Sequence, residues 1–369
     1  KRFLRGEAVS AYSENLWQQL ARWVNHHREK TLFILMLIFL IGAGGTIWTL
    51  YHRQMELLIV KQREEKIARF LTVVAQRSQV IDSQFLKVEV LLKGLAAVAT
   101  YALNYSQPSQ EPIYLNNALK VDNPFNPPDL VTSRVYGGKL SLTWPVWAIA
   151  PGVSLPQIQK KIKQWIPLRH YLKNIMLRSY TGGVPLKDPH EIHNQIAETG
   201  VPLAWAHVTL EDGAIQYFPG KGFSIREHKD NAKYDPRIRP FYTLSARKIG
   251  VYWGNPYFDA LIGSLLPCTT SLYDSNNHFL GVAGVDMEFS YMVESFLRLR
   301  SEPAIKETFL LDDKGQIILR SSKAKDNFGK QLAHNQSFKT PLFPNEKIIS
   351  AIKSKKIGGY EEKETNPPK

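Results

Sequence analysis

The sequence is poor in cysteine and lacks the short motifs of common enzyme sites. Cys268 is the single cysteine, so neither an intramolecular disulfide nor a four-cysteine metal site can form. No Gly-x-Ser-x-Gly elbow, P-loop or His-Glu-x-x-His sequence occurs. Stability must therefore come from packing, for which 44% hydrophobic residues in a chain of 369 are ample.

A concentrated basic block is also missing. The formal net charge is +14, but Lys and Arg are spread along the chain and no nucleic-acid-binding motif accompanies them. We therefore expect no nucleic-acid partner, and a basic surface that faces solvent or anionic lipid. His190 and His193 have three-residue spacing without a further ligand cluster, which favours solvated side chains over a metal site. No metal and no cofactor are expected.

Charge is absent altogether from Thr31 to Leu50. At about 1.5 Å per residue, twenty helical residues cross the roughly 30 Å apolar core of a bilayer. We therefore expect this segment to anchor the chain in the inner (plasma) membrane. The cations that precede it predict that the N-terminus is cytoplasmic and that residues 52–369 are extracytoplasmic. A cleaved signal peptide is the alternative, but its apolar region would be shorter.

The next stretch has helical periodicity without proline before Pro108. Apolar residues recur at three- and four-residue intervals from Ile67 to Leu95, which predicts one long amphipathic helix suited to a stalk. A second helical pattern covers Gln157–Tyr180. Leu140–Trp147 predicts a strand, and Met287–Leu299 looks helical.

From Ala204 onward, strand and turn patterns alternate. Ala204–Leu210 and Ala214–Phe218 predict one antiparallel hairpin, and Ser264–Tyr273 with Phe279–Asp286 a second. The same pattern recurs at Thr308–Asp312 and Gln316–Ser321, which predicts the start of another sheet that is incomplete at Lys369. The fold class is therefore α+β, with antiparallel sheets.

Three ordered motifs lie in the first sheet region: Asp-Pro-Arg-Ile-Arg-Pro-Phe-Tyr at 235–242, Trp-Gly-Asn-Pro-Tyr-Phe-Asp at 253–259 and Gly-Val-Ala-Gly-Val-Asp at 281–286. Together with the anchor and the long helix, they resemble the double Cache sensor domain of bacterial transmembrane receptors. That resemblance implies a complete membrane-distal PAS-like subdomain that binds a small ligand and a truncated membrane-proximal one. The expected segments are a cytoplasmic 1–30, a transmembrane 31–51, a stalk 52–105, a distal subdomain 106–300 and a proximal subdomain 301–369.

The resemblance to the amino-acid-binding subset of this family also implies roles for individual residues. Arg239 and Phe241 would hold the ligand carboxylate, and Tyr242, Tyr257 and Asp286 its ammonium. Asp259 and Tyr234 would lie beside them. Phe241 departs from the usual tryptophan and lacks its indole N–H donor. The implied protein is a receptor, a homodimer through its stalk and transmembrane helices, with an output module beyond Lys369 that could be a kinase or a nucleotide cyclase.

The residue chemistry agrees with such a pocket but leaves alternatives. An arginine fork suits a carboxylate, whereas a carboxylate and aromatic faces suit an ammonium group. Arg237 or Arg239 could instead form a buried ion pair with Asp235 or Asp286. Two other functions stay open: an ectodomain with a structural or assembly role and no ligand, and a membrane-anchored hydrolase that uses Asp259 and Asp286.

Overall fold

The computed structural model describes residues 15–116, 124–181, 188, 191, 195–222, 234–259, 262–299, 305–321 and 340–354. The predictions for His190 and His193 lie outside these residues. The chain divides into two compact units, Lys1–Val74 and Ala75–Lys369.

The first unit is helical. Helix α1 spans Leu16–His26, and α2 begins at Arg28 and runs without a break to Tyr105 in the second unit. Because α2 contains no proline, nothing in its sequence interrupts the backbone hydrogen bonds. Its segment after Lys30 is long and apolar enough to cross a membrane, and it is the one such segment among the described residues. The predicted anchor helix and stalk helix are therefore parts of one helix.

In the second unit, one face of α2 joins the hydrophobic core. Val88, Leu92, Leu95, Ala99 and Ala102 are buried. Their alternating spacing of three and four residues keeps them on one side of the helix. This face packs beside α3 (Leu155–Trp165) and α4 (Arg169–Thr181).

Helices α3 and α4 occupy the region predicted as a single helix over 157–180. A 3-10 turn at Ile166–Leu168 separates them. The single-helix prediction is wrong at this point because Pro167 has no amide hydrogen and its ring disfavours a continuous α-helix. The Trp165 indole Nε1 donates to the Ala99 carbonyl at 2.9 Å, so the end of α3 is fixed against α2.

A seven-stranded antiparallel sheet forms the centre of this unit. Its strand order is β3-β5-β4-β10-β9-β7, with β8 also paired to β9. A smaller sheet has the order β1-β2-β6. The strands are β1 (Leu130–Ser133), β2 (Gly138–Ser141), β3 (Val146–Ile149), β4 (Leu203–Leu210), β5 (Ala214–Phe218), β6 (Gly220–Lys221), β7 (Val251–Trp253), β8 (Tyr257–Asp259), β9 (Gly263–Tyr273) and β10 (Phe279–Glu288).

The two predicted hairpins are confirmed as β4–β5 and β9–β10. The structure also adds a pairing that local patterns cannot show, since β10 lies between β9 and β4 and joins the hairpins into one sheet. The predicted strand Leu140–Trp147 is instead two strands in different sheets, β2 and β3, on either side of Pro145. A short helix, α5 (Pro240–Thr243), lies between β6 and β7. Met287 and Glu288 belong to β10, and the predicted helix after them is two short helical segments, α6 (Phe289–Met292) and a π-helical turn at Val293–Leu297.

A third, two-stranded sheet follows. It comprises β11 (Phe309–Leu311) and β12 (Ile317–Arg320), in antiparallel register as the sequence predicts. Helix α7 (Glu346–Lys353) comes later in the chain. The α+β class and the antiparallel sheets are confirmed, whereas the boundaries of the segments and the truncation of a second subdomain stay predictions.

Candidate functional site

The alternation of side chains along three neighbouring strands brings polar and aromatic groups to one face of the central sheet. In the register of β4 and β10, Trp205 faces Asp286 and His207 faces Gly284, while His207 also pairs with Tyr217 on β5. Residues two apart on a strand share a face. These groups surround a cavity of about 30 Å³. Its lining residues are Trp205, His207, Ile215, Tyr217, Tyr234, Phe241, Tyr257, Asp259 and Asp286.

A short helix, α5 (Pro240–Thr243), carries Phe241, which lines the cavity. A proline at the first helical position suits its fixed φ angle, and Arg239 takes the extended conformation that precedes a helix. Phe241 on this helix has its ring centroid 4.6 Å from that of His207 and 6.3 Å from that of Tyr257. The Phe241 ring therefore packs directly on the floor of the cavity.

The floor itself contains a buried carboxylate beside a buried imidazole. Asp286 and His207 have side-chain exposures of 2% each, with His207 Nε2 3.4 Å from Asp286 Oδ2. Asp286 Oδ1 has no hydrogen-bond partner among the described residues. A buried carboxylate oxygen without a partner is costly, so this atom favours a donor that enters the cavity.

Gly284 makes room for this pair. An ideal Cβ placed on Gly284 would lie 2.4 Å from His207 Cε1 and 2.6 Å from His207 Nε2. Those distances are far below van der Waals contact, so the His207 ring occupies the space that any other residue at 284 would need. The second glycine of the Gly-Val-Ala-Gly-Val-Asp motif, Gly284, is thus explained by the His207 ring, which crosses over the backbone of β10.

Arg239 supplies a buried cation next to the cavity. It is 6% exposed, and its guanidinium carbon lies 5.9 Å from the Tyr257 ring centroid and 6.0 Å from that of Tyr234. Both distances fall within the range of cation–π attraction. Of the ion pairs left open by the sequence, Asp235 with Arg237 is formed: Arg237 Nη2 lies 2.7 Å from Asp235 Oδ2. Both side chains are partly exposed there.

The hydroxyls that line the cavity stay protonated. Burial raises the pKa of Tyr234 to about 12, although Arg239 opposes the shift. Burial, with added repulsion from Asp286 and Asp259, holds the pKa of Tyr257 well above its usual value. Burial likewise raises the pKa of Tyr217 well above its usual range, and its hydroxyl donates to the Lys221 carbonyl at 2.8 Å. These tyrosines are therefore neutral hydrogen-bonding groups across physiological pH.

Five of the seven sequence-predicted residues line the cavity: Tyr234, Phe241, Tyr257, Asp259 and Asp286. Arg239 is not among the lining residues, although its guanidinium carbon lies within about 6 Å of the ring centroids of Tyr234 and Tyr257. Tyr242 points elsewhere, with its ring 6.4 Å from that of Phe279, and it is not part of the described lining. Among the described residues, no group of three His, Cys, Asp or Glu side chains could hold a metal ion.

Comparison with known proteins assigns this region to a family. Residues 187–294 match the family described as methyl-accepting chemotaxis protein-like, first PDC sensor domain. That span contains the central sheet strands β4, β5, β9 and β10 and every residue that lines the cavity. On this match, residues 187–294 form a dCache-type sensor domain.

The chain is 24% identical over 169 residues to the methyl-accepting chemotaxis protein McpC of Bacillus subtilis (strain 168). The match covers 46% of this chain and 24% of McpC, so the chain spans about a quarter of that relative.

Solved structures with a similar sensor domain include two ligand complexes. The ligand-binding domain of the Pseudomonas fluorescens chemoreceptor CtaA, in complex with L-leucine, is 22% identical with a TM-score of 0.27 and covers 33% of this chain and 48% of that one. The ligand-binding domain of the Pseudomonas aeruginosa PAO1 amino-acid chemoreceptor PctC, in complex with GABA, is 21% identical with a TM-score of 0.27. That match covers 41% of this chain and 64% of the other.

The motifs of the sensor domain do not include four residues of its cavity: Trp205, His207, Ile215 and Tyr217. All four lie on the β4–β5 hairpin, which the sequence predicts as a hairpin without linking it to the site. A usable signal existed in this hairpin, since Trp205 and His207 are two apart, as are Ile215 and Tyr217, and each pair must share a face.

Proposed function

We propose that this chain is the ligand-sensing region of a transmembrane chemoreceptor, and that the cavity beneath Phe241 binds a small amino acid or a related amine. The observation that carries the proposal is Asp286, a buried carboxylate in the cavity floor whose Oδ1 has no hydrogen-bond partner among the described residues. A ligand ammonium satisfies that oxygen with a charge-assisted hydrogen bond. The rings of Tyr257 and Tyr234 beside it favour a cation as well.

Arg239 stays the predicted partner of the carboxylate end of the ligand, although it is not among the residues that line the cavity. Its guanidinium can hold a carboxylate through two parallel hydrogen bonds. Phe241 packs on the ligand but donates no hydrogen bond, so affinity for the carboxylate end depends more on Arg239 than in domains with tryptophan there. Tyr242 stays a predicted ammonium contact, but its position beside Phe279 gives that role no support.

In this proposal the cavity widens when a ligand binds. Its volume of about 30 Å³ has room for water-sized groups, and an amino acid is larger. The ring of Phe241 and the helix α5 that carries it then move outward as the ligand enters. The ligand thus selects a state in which α5 is displaced, and this differential binding provides the signal.

The same helix that could span the membrane also contacts the sensor domain. The Trp253 indole Nε1 donates to Glu89 Oε1 at 3.0 Å, and the rings of Phe85 and Trp253 lie 4.5 Å apart. In our proposal the anchor places the N-terminus in the cytoplasm, and a shift at α2 passes along this helix within a homodimer. The similarity to chemotaxis receptors favours an output module of that class rather than a kinase or a nucleotide cyclase.

Thermal unfolding of the whole chain in lipid nanodiscs, with a panel of amino acids and amines that includes L-leucine and GABA, tests the proposal. A ligand that binds only the native state raises the melting temperature. For a ligand that does so, Asp286→Asn should weaken the calorimetric Kd by about 10- to 150-fold, because a hydrogen bond to a charged group contributes about 1.5–3 kcal/mol.

Asp212→Asn is the matched control. Asp212 lies on the turn after β4 and forms a surface ion pair with Lys161 of α3. Exposed pairs of this kind contribute little to stability. The control should leave Kd unchanged. If no compound in the panel raises the melting temperature, the amino-acid assignment is wrong, and an unchanged Kd in Asp286→Asn refutes the role of this carboxylate.

A further inference from the structure

Helix α1 separates apolar from polar side chains completely. At 100° per residue, Leu16, Trp17, Leu20, Trp23 and the small residues Ala21 and Val24 fall within an arc of roughly 160°, and all the polar residues fall on the other side. The polar set is Gln18, Gln19, Arg22, Asn25 and His26. The start of the helix is fixed by the backbone N–H of Asn15, which donates to Gln18 Oε1 at 3.2 Å.

The apolar face of α1 is not covered by any described part of the chain. Trp17 is 82% exposed, Leu16 81%, Leu20 58% and Trp23 44%. None of the residues of this helix is buried. An isolated helix of 11 residues is marginal in water, so its stability requires a partner for this face.

The place of α1 in the chain identifies that partner. His27 has φ −124° and ψ 49°, which ends the helical geometry before α2 begins at Arg28. The uncharged segment starts at Thr31, about 7 Å of helix rise beyond His26. The headgroup layer on each side of the apolar core is of similar depth, roughly 5–8 Å. Helix α1 therefore adjoins the layer in which a surface helix lies.

Charge and aromatic content fit the same layer. Arg22, Arg28 and Lys30 provide three cations against the single carboxylate of Glu29 between residues 15 and 30. Trp17 and Trp23 are the side-chain type enriched where headgroups meet acyl chains. Lys and Arg close to an anionic leaflet are attracted to it.

We propose that α1 is an interfacial membrane helix, which lies on the bilayer surface with Trp17, Leu20 and Trp23 inserted at the boundary between headgroups and acyl chains. The partner is an anionic lipid surface. The inference rests on the proposed membrane anchor and is independent of any ligand. It gives the chain a second attachment next to the anchor, which restricts rotation of α2 about its own axis.

Site-directed spin labelling of the whole chain in vesicles of phosphatidylcholine and phosphatidylglycerol tests this arrangement. Single cysteines replace Trp17 or Leu20 on the apolar face and Gln18 or Arg22 on the polar face. Cys268 is fully buried, and unsubstituted protein measures any labelling there. Oxygen, which concentrates in lipid, should increase the relaxation rate of labels at 17 and 20 more than that of labels at 18 and 22. A water-soluble nickel complex should have the opposite order of effects.

A label at Ile38, within the uncharged segment, separates the possible failures. If the label at 38 is in lipid but all four α1 labels are equally accessible to nickel, the interfacial helix is refuted and the anchor stands. If the label at 38 is accessible to nickel, both the interfacial helix and the membrane anchor are refuted. Strong dipolar broadening at 17 and 20 identifies a second copy of α1 as the partner, which also refutes the proposal.

A matched pair of charge substitutions adds a second readout. Leu20→Lys should abolish the preference of the label at 17 for oxygen, because a lysine is then placed on the inserted face. Gln18→Lys adds the same charge to the polar face and should leave that preference unchanged. Equal effects of the two substitutions would overturn the proposal.

Discussion

Replacement of Gly284 by alanine tests the contact that shapes the cavity floor. The added methyl group would lie 2.4 Å from His207 Cε1 and 3.0 Å from Thr269 Cγ2, so the imidazole ring must move. Little space is available for that movement, because Phe241 packs on the ring at 4.6 Å and Asp286 lies 3.4 Å from Nε2. Excess volume in a packed core costs about 1–3 kcal/mol.

An opposing effect comes from the unfolded state. Alanine has fewer unfolded conformations than glycine, which stabilises the fold by about 0.4–1 kcal/mol. The net loss for Gly284→Ala is then on the order of 1–2 kcal/mol. At about 2.1 cal/mol/K of unfolding entropy per residue, this lowers the melting temperature of the unit Ala75–Lys369 by about 2–3 °C. Differential scanning fluorimetry of the whole chain in detergent measures the shift.

Two variants make the result specific to the His207 ring. Gly138→Ala is the control, because a Cβ on Gly138 lies 3.7 Å from the Lys221 side chain and meets no closer atom; its melting temperature should stay level or rise slightly. In a His207→Ala background most of the penalty of Gly284→Ala should disappear, because only the contact with Thr269 Cγ2 at 3.0 Å remains. The difference between the two penalties is the coupling energy of residues 207 and 284. The reasoning fails if Gly284→Ala is as stable as the parent protein, or if its full penalty survives without the ring.

Two further predictions concern pH and signal transfer. Burial holds the folded pKa of Tyr257 well above the ordinary tyrosine value of about 10. The contribution of Tyr257 to the free energy of unfolding should therefore be complete below about pH 10 and fall above it by about 1.4 kcal/mol per pH unit. In thermal unfolding between pH 9 and pH 11, stability should fall less steeply for Tyr257→Phe than for the parent protein, whereas the exposed control Tyr180→Phe should match the parent; equal slopes in all three proteins would contradict the assignment. Single cysteines placed along residues 55–75 should change their cross-linking pattern when a ligand is bound, if α2 carries the signal in a dimer; an unchanged pattern would show that the helix is passive.

Local sequence patterns predicted the secondary structure of the site well. The hairpins β4–β5 and β9–β10 follow from two-residue alternation and polar turns, which depend only on residues close in sequence. Pro145 and Pro167 marked two breaks that the periodicity alone concealed. In each case the apolar pattern continued across the proline, but the helix or strand ended there.

The motifs from Tyr234 to Asp286 supplied five of the residues that line the cavity, because those residues lie within about fifty positions of one another. They could not supply Trp205, His207, Ile215 and Tyr217. The position of these four beside Asp286 depends on the pairing of β10 with β4, a contact between segments about eighty residues apart. Hydrogen bonds between distant strands leave no periodic signal within either strand.

The sequence by itself determined the α+β class, the uncharged segment that could span a membrane and the candidate residues Arg239 and Asp286. Only the tertiary structure decided how these groups meet. It paired Asp235 with Arg237, turned Tyr242 towards Phe279 and placed an imidazole over Gly284 next to Asp286. The physical reason is that charge, hydropathy and periodicity are properties of single segments, whereas burial and electrostatic partners arise only when distant segments pack together.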